Sequence, residues 1–305
     1  MPSNLVELLP TEICEVTSKP SLVVERPTIT VREALRKMAD NNIVSLPIYS
    51  HDSDNIVTIV NIIDILNYII KEAVSDEKLP SSIHSEKARN LDKQIETVMT
   101  LDSDQESYRI FKTDANEGIK KTLEKFSKRL HRSLVIDYDN KVPPFILTQS
   151  DVIKYVQAHP ECLPTIDFKS SLRSLGLIRD REIVIGHDNE SALNVYRGLA
   201  ENRLIGIAIV NSEHELVGNL SASDLRGLSY ESIDNLVLPV LEFLAKLSNC
   251  ENLLKPVTAT PETSLEMALK LLTVNRIHRV WIIDDKRHVK DVVTLTDLIS
   301  FFIQQ

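Results

Sequence analysis

Apolar positions along this chain follow two alternating rhythms, and the alternation itself repeats. Near the C-terminus, Leu265, Ala268, Leu269 and Leu272 recur at three- and four-residue steps within Ser264 to Asn275, which predicts a helix with one apolar face. The run Val280-Trp281-Ile282-Ile283 then predicts a buried strand, Asp284 to Arg287 a turn, and Asp291 to Thr294 a second strand. A further helix is predicted to open at Thr294-Leu-Thr-Asp297, with Leu298 and Ile299 behind it.

The same order is predicted three more times upstream. One copy has its helix at Ser191 to Asn202, strands at Ile205 to Val210 and Leu216 to Leu220, and a helix opening at Ser221-Ala-Ser-Asp224. Another runs through Asn116 to Lys128, Ser133 to Asp137, Pro144 to Leu147 and Thr148-Gln-Ser-Asp151. The first comprises Val31 to Asp40, Val44 to Tyr49, Ile56 to Val60 and Asn61-Ile-Ile-Asp64. The marker residues Asp64, Asp151, Asp224 and Asp297 are spaced by 87, 73 and 73 positions, a period hard to obtain by chance. Polar residues 75–93 account for the longer first interval as an exposed connection.

A second connection, around Pro160 to Ser174, divides the chain into an expected first domain, 20–158, and an expected second, 172–305. The stretch Leu228 to Leu254 reads as helical, with Pro239 at a kink or boundary. A single copy offers a small mixed sheet with helices on one face and cannot close a core alone. The prediction is therefore an α/β chain of mixed α+β character: four tandem βαββα repeats forming two pseudo-symmetric pairs, one with two and three with four.

Composition narrows the function classes. Apolar residues make up 43% and charged residues 26%, ordinary for a globular chain, while the formal charge of −9 argues against coating nucleic acid. Cys14, Cys162 and Cys250 match no metal or disulfide spacing, which suggests a reducing compartment. The first residues lack the blocks of a signal peptide, and the apolar stretch Ile56 to Leu66 is interrupted by Asn61 and Asp64 and too short to span a bilayer. A soluble, intracellular protein without nucleic-acid or membrane partners is expected. Only seven glycines are present, and neither a phosphate loop nor a Ser/His/Asp or Cys/His constellation stands out. Trp281 reads as core.

Candidate chemistry gathers at the repeat markers. A carboxylate in the first turn of a helix is held by the helix dipole and can accept two hydrogen bonds from a cis-diol. A hydroxyl three residues earlier can cap the helix or bond a ligand, so Thr148 with Asp151, Ser221 with Asp224 and Thr294 with Asp297 admit both readings. His131-Arg132 and His278-Arg279 lie 20 and 19 residues before their aspartates, each pair at the start of a predicted strand. Arginine offers a permanent donor fork for phosphate oxygens, and histidine a donor whose charge responds near neutral pH. Arg203 stands where the third repeat would place a similar basic group, as a single arginine.

The order β-α-β-β-α with a Ser/Thr-x-x-Asp opening resembles the CBS domain. Four copies, with Arg129-Leu-His131-Arg132 before Ile146-Leu-Thr-Gln149 and Arg276-Ile-His278-Arg279 before Val293-Thr-Leu-Thr-Asp297, resemble the gamma subunit of AMP-activated protein kinase. The resemblance covers about residues 20–305. It implies a non-catalytic, cytoplasmic or also nuclear regulatory protein that binds AMP, ADP or ATP and acts within a kinase complex or as a homodimer. Asp64, Asp151, Asp224 and Asp297 would hold riboses beside Thr148, Ser221 and Thr294, and His131, Arg132, Arg203, His278 and Arg279 would meet phosphates. Three departures weaken the match: Val44 stands where the family has a basic residue, Asn61 replaces the threonine before Asp64, and Asp151 occupies a position the family leaves without aspartate. The alternative is a structural or interaction module that keeps the fold without a ligand. An enzyme with an accessory region of this kind is excluded by length, since the repeats consume nearly the whole chain.

Overall fold

The computed structural model describes residues 4–17, 21–73, 91–96, 110–179, 181–228, 233–247 and 255–304. Most of the polar connection 75–93, and the ends of the Leu228 to Leu254 stretch, fall outside them. Within that stretch, Val240–Leu247 is helical and Ile233–Val237 a 3-10 turn, with Pro239 between them as expected.

All four repeats fold, and the second states the plan. Strand Lys112–Asp114 lies parallel to Arg132–Ile136, which pairs antiparallel with Phe145–Thr148; helix Lys120–Phe126 connects the first two, and Gln149–Ala158 follows the third. The third repeat uses Ile185–His187, Gly206–Val210 and Leu216–Ser221, and the fourth Thr258–Ala259, Arg279–Ile283 and Val289–Thr294, in the same pairing order. The first repeat keeps the hairpin Ser45–Tyr49 with Ile56–Asn61, while its opening strand shrinks to a single bridge from Glu25 to Ile48.

Two elements are shorter than the sequence predicts. The helix expected over Asn116 to Lys128 spans only Lys120–Phe126, because Asp114 Oδ1 accepts the Asn116 N–H and holds the preceding residues in a turn. After Ser221 the chain makes a 3-10 turn, Ala222–Gly227, in place of an α-helix. Gly227, poor in helices, stands at its end, and Leu228 is already extended.

The chain divides into two compact units. One contains the second and fourth repeats together with residues 4–17 and 21–22; the other contains the first and third. In the first unit Leu123, Phe126, Val152 and Ile153 share a core with Leu265, Leu269, Leu298 and Ile299. In the second, Leu35, Ile65 and Leu66 share one with Leu193, Tyr196 and Phe243, the last two rings meeting edge to face at 5.9 Å. The compact units thus cut across the contiguous domains 20–158 and 172–305 expected from the sequence, each taking one repeat from either half.

Two segments outside the predicted repeats also prove to be core. Leu5, Leu8 and Ile13, around the helix Pro10–Thr17, are fully buried in the unit of repeats two and four, where the Leu8 carbonyl accepts the Ile119 N–H. The expected connection around Pro160 to Ser174 is pinned to the fourth repeat. Cys162, Leu163 and Leu172 are buried, and backbone bonds join Leu172 to Thr263, Arg173 to Pro261 and Ser170 to Leu265.

Candidate functional site

Each repeat turns from strand to helix in the same way. Gln149, Leu295, Ala222 and Ile62 donate their N–H groups to the carbonyls of His131, His278, Ile205 and Val44. These four bonds put the repeats into exact residue-by-residue correspondence. Directly across the hairpin from the motif residues Thr148, Thr294, Ser221 and Asn61 stand Arg132, Arg279, Gly206 and Ser45. Paired residues of an antiparallel ladder share a face. An arginine therefore stands beside the motif threonine in repeats two and four, and a small neutral residue beside its counterpart in repeats one and three.

The correspondence relocates one predicted contact. Arg203 aligns with Arg129 and Arg276, and not with a His-Arg pair. All three are exposed, with left-handed backbones at φ 53, 70 and 53°, and Asn42 holds the place at 52° in the first repeat. These residues reverse the chain between helix and strand. Arg203 has neither His nor Arg in the following positions, which are Ile205 and Gly206. The third repeat thus offers its motif serine no cationic neighbour across the hairpin.

In every repeat the marker carboxylate binds its own helix entrance. Asp151 Oδ2 accepts the Thr148 N–H at 2.8 Å and its hydroxyl at 2.6 Å; Asp297 Oδ2 accepts the same groups of Thr294 at 2.9 and 2.6 Å. Ser221 donates to Asp224 through N–H and Oγ at 2.7 and 2.9 Å. Asn61 gives Asp64 only its N–H, at 2.9 Å, and its own Oδ1 is buried without a hydrogen-bond partner among the described residues. Capping is therefore real at Asp151, Asp224 and Asp297, as one of the two readings required, while Asp64 makes only the backbone half of it. It occupies Oδ2 in each, and the second reading depends on Oδ1.

The two His-Arg pairs are not equivalent in setting. His131 is half-buried and its Nδ1 lies 3.1 Å from Gln149 Oε1, whereas His278 is exposed and has Leu295 in the place of Gln149. Gln149, nearly fully buried, donates Nε2 to the carbonyls of Phe126 and Leu130 and to Thr296 Oγ1, tying the second repeat to the fourth. In the sequence it stands within Ile146-Leu-Thr-Gln149, with no role assigned to it; the available signal was one amide where the other repeats carry Ile62, Ala222 and Leu295. Burial lowers the His131 pKa from the ordinary 6.5, the Gln149 bond opposes this, and the charges of Arg132, Arg279 and Arg129 lower it further. Charges from repeats two and four thus both act on His131. Arg279 is itself nearly buried, on the strand whose Trp281 is core, as expected.

Asp297 has partners the sequence did not suggest. Arg179 Nη1 lies 3.2 Å from its Oδ1, and Arg181 Nη2 lies 3.4 Å from its Oδ2. Arg181 also pairs at 2.7 Å with Asp291, whose side chain is 0% exposed, and donates to the Val292 carbonyl. The Arg179 N–H donates to Asp291 as well, at 2.5 Å. Burial pushes the Cys162 thiol up to about 11, far from a reactive thiolate. No group of metal-ligating side chains and no helix long and apolar enough to cross a membrane occurs among the described residues.

Residues 13–71 and 252–304 match the model of the CBS domain family. The chain is 25% identical to the SNF1-related protein kinase regulatory subunit gamma-like PV42a of Arabidopsis thaliana, over 93% of this chain and 92% of the relative. It is 24% identical to the 5'-AMP-activated protein kinase subunit gamma of Saccharomyces cerevisiae, over 92% and 86%. Other relatives are longer, and the chain spans about half their length. Among solved structures, protein MJ1225 of Methanocaldococcus jannaschii superposes with a TM-score of 0.71 at 20% identity, covering 97% of this chain and 100% of that one. CBS domains are thus matched at 13–71 and 252–304, and the chain is similar, along nearly its whole length, to kinase regulatory subunits of the gamma kind.

Proposed function

We propose that this protein is a non-catalytic regulatory subunit that binds an adenine nucleotide, AMP, ADP or ATP, and acts through a protein kinase complex. One observation carries the reading: in one compact unit Arg132 of the second repeat and Arg279 of the fourth each stand across a hairpin from a motif threonine, and Gln149 Nε2 donates to Thr296 Oγ1 to join the two turns. In an acidic chain, arginines facing the strand-to-helix turns suit an anion such as a phosphate. The Thr148-x-x-Asp151 turn beside Arg132 supplies acceptors for a ribose diol. Asp224 with Ser221, and Asp64, have comparable carboxylates but no arginine opposite on the hairpin, so they are weaker candidates. The gamma-kind relatives support the kinase partner; the homodimer is the alternative assembly. A cytoplasmic location, extending to the nucleus, follows from the same reading.

Thermal melting with each nucleotide tests it. Ligand at 100 times its dissociation constant adds about 2.7 kcal/mol of stability. Arg132→Gln and Arg279→Gln are expected to reduce that gain for nucleotides, measured against each variant's own melting without ligand. Absence of any nucleotide effect on the parent protein overturns the proposal. It would favour the ligand-free module, a reading supported by the capping role of Asp151, Asp224 and Asp297.

A further inference from the structure

We propose that Arg179 and Arg181 hold the fourth repeat's Asp297 closed, as an autoinhibitory latch on that repeat's nucleotide position. The inference rests on the nucleotide reading above, and concerns which marker carboxylate is open to a ligand.

A carboxylate offers about four lone-pair directions. At Asp297, Oδ2 already serves the Thr294 N–H and hydroxyl and the Arg181 guanidinium, and Oδ1 serves Arg179. Oδ1 keeps one acceptor direction beside Arg179, so both hydroxyls of a ribose diol can bond it only if that arginine leaves. The diol brings neutral hydroxyl donors, which bond a carboxylate less strongly than cationic donors do. The diol therefore loses the competition unless the arginine is released.

The latch is positioned by the backbone and does not depend on two long side chains alone. The run from Phe168 to Arg173 is hydrogen-bonded to Pro261, Thr263, Leu265 and Glu266, so the approach to Arg179 is fixed on the fourth repeat. Leu172 and Leu177 are buried on either side of a turn at Gly176, whose φ is 68°. Arg179 is then held by its own N–H on Asp291, and Arg181 by its Nε on the same buried carboxylate. Asp291 is the anchor and Asp297 the blocked group. Arg179 is 50% exposed against 32% for Arg181, which makes it the part that can move without uncovering Asp291.

Calorimetric titration of AMP and ATP into the full chain tests the latch, using wild type, Arg179→Gln, Asp297→Asn and the double variant. Arg179→Gln removes the charge on Oδ1 and keeps the backbone bond to Asp291. The expected result is an added binding event or an affinity gain of about tenfold in Arg179→Gln, no change in Asp297→Asn, and no gain in the double variant. Arg179→Ala serves as the second opening variant. If the parent protein binds nucleotide and neither Arg179 variant gains, or if Asp297→Asn alone weakens binding, the latch is wrong and the nucleotide reading survives. If no variant binds either nucleotide, the nucleotide reading falls, and the latch falls with it.

Discussion

His131 shows how far a single side chain depends on its neighbours. Its folded pKa lies below the ordinary value of 6.5, through burial first, against the Gln149 bond, and then through Arg132, Arg279 and Arg129. A group of this kind takes up its proton more readily in the unfolded chain, so its contribution to stability is full above about pH 6.5 and is lost as pH falls toward the folded pKa. Urea unfolding between pH 8 and 5 should show that loss, and His131→Gln should flatten it. Equal pH profiles for the two proteins would remove His131 as the cause. A phosphate beside the ring would oppose the arginines and favour the imidazolium, so nucleotide should reduce the acid sensitivity. The His-Arg pairs themselves were legible in the sequence. Their inequality was not, because it is set by Gln149 and Leu295, eighteen and seventeen residues downstream and across a hairpin.

At the scale of elements, the turn from strand to helix is the unit that repeats. Thr148 and Thr294 each cap an α-helix through a reciprocal exchange with the following aspartate. Thr148→Ala and Thr294→Ala should each cost about 1 kcal/mol of stability in denaturant titrations, in the usual range for a lost N-cap. Ser221→Ala, at the head of a short 3-10 turn, should cost less. A threonine variant that leaves stability intact would show that capping is not what the hydroxyl supplies. Helices and strands were readable because local periodicity fixes them: the predicted Val31 to Asp40 and Ile56 to Val60 agree with the structure to within a residue. The failures were local competitors of that pattern, an Asx turn at Asp114 and a glycine at 227. The buried Leu5, Leu8 and Ile13 were passed over because so short a stretch carries too little periodicity to announce a partner.

For the whole molecule, the question the sequence could not answer was which repeats share a core. All four present similar apolar helix faces, and the choice among them is made by shape across long sequence separations. Arg179 and Arg181 escaped notice for the same reason: their carboxylate partners lie more than a hundred residues away. The two cores found draw on both halves of the chain. Fragments 20–158 and 172–305, expressed separately, should therefore lack a cooperative melting transition and regain one when mixed, as followed by circular dichroism. Cooperative melting of either fragment alone would identify the contiguous halves as the folding units instead.

The register of the four hairpins also bears on how such a chain can change over time. Copies of one ancestral repeat begin alike, yet here arginine faces the motif residue in two of them and serine or glycine in the others. Both arginine-bearing copies belong to one core. Selection for ligand would then act on that core alone and leave the other free to drift within the demands of packing. The drifting core keeps the carboxylates Asp64 and Asp224 in place through their backbone bonds. A second sensing surface would thus be inherited half-made, lacking chiefly a cation at Ser45 or Gly206.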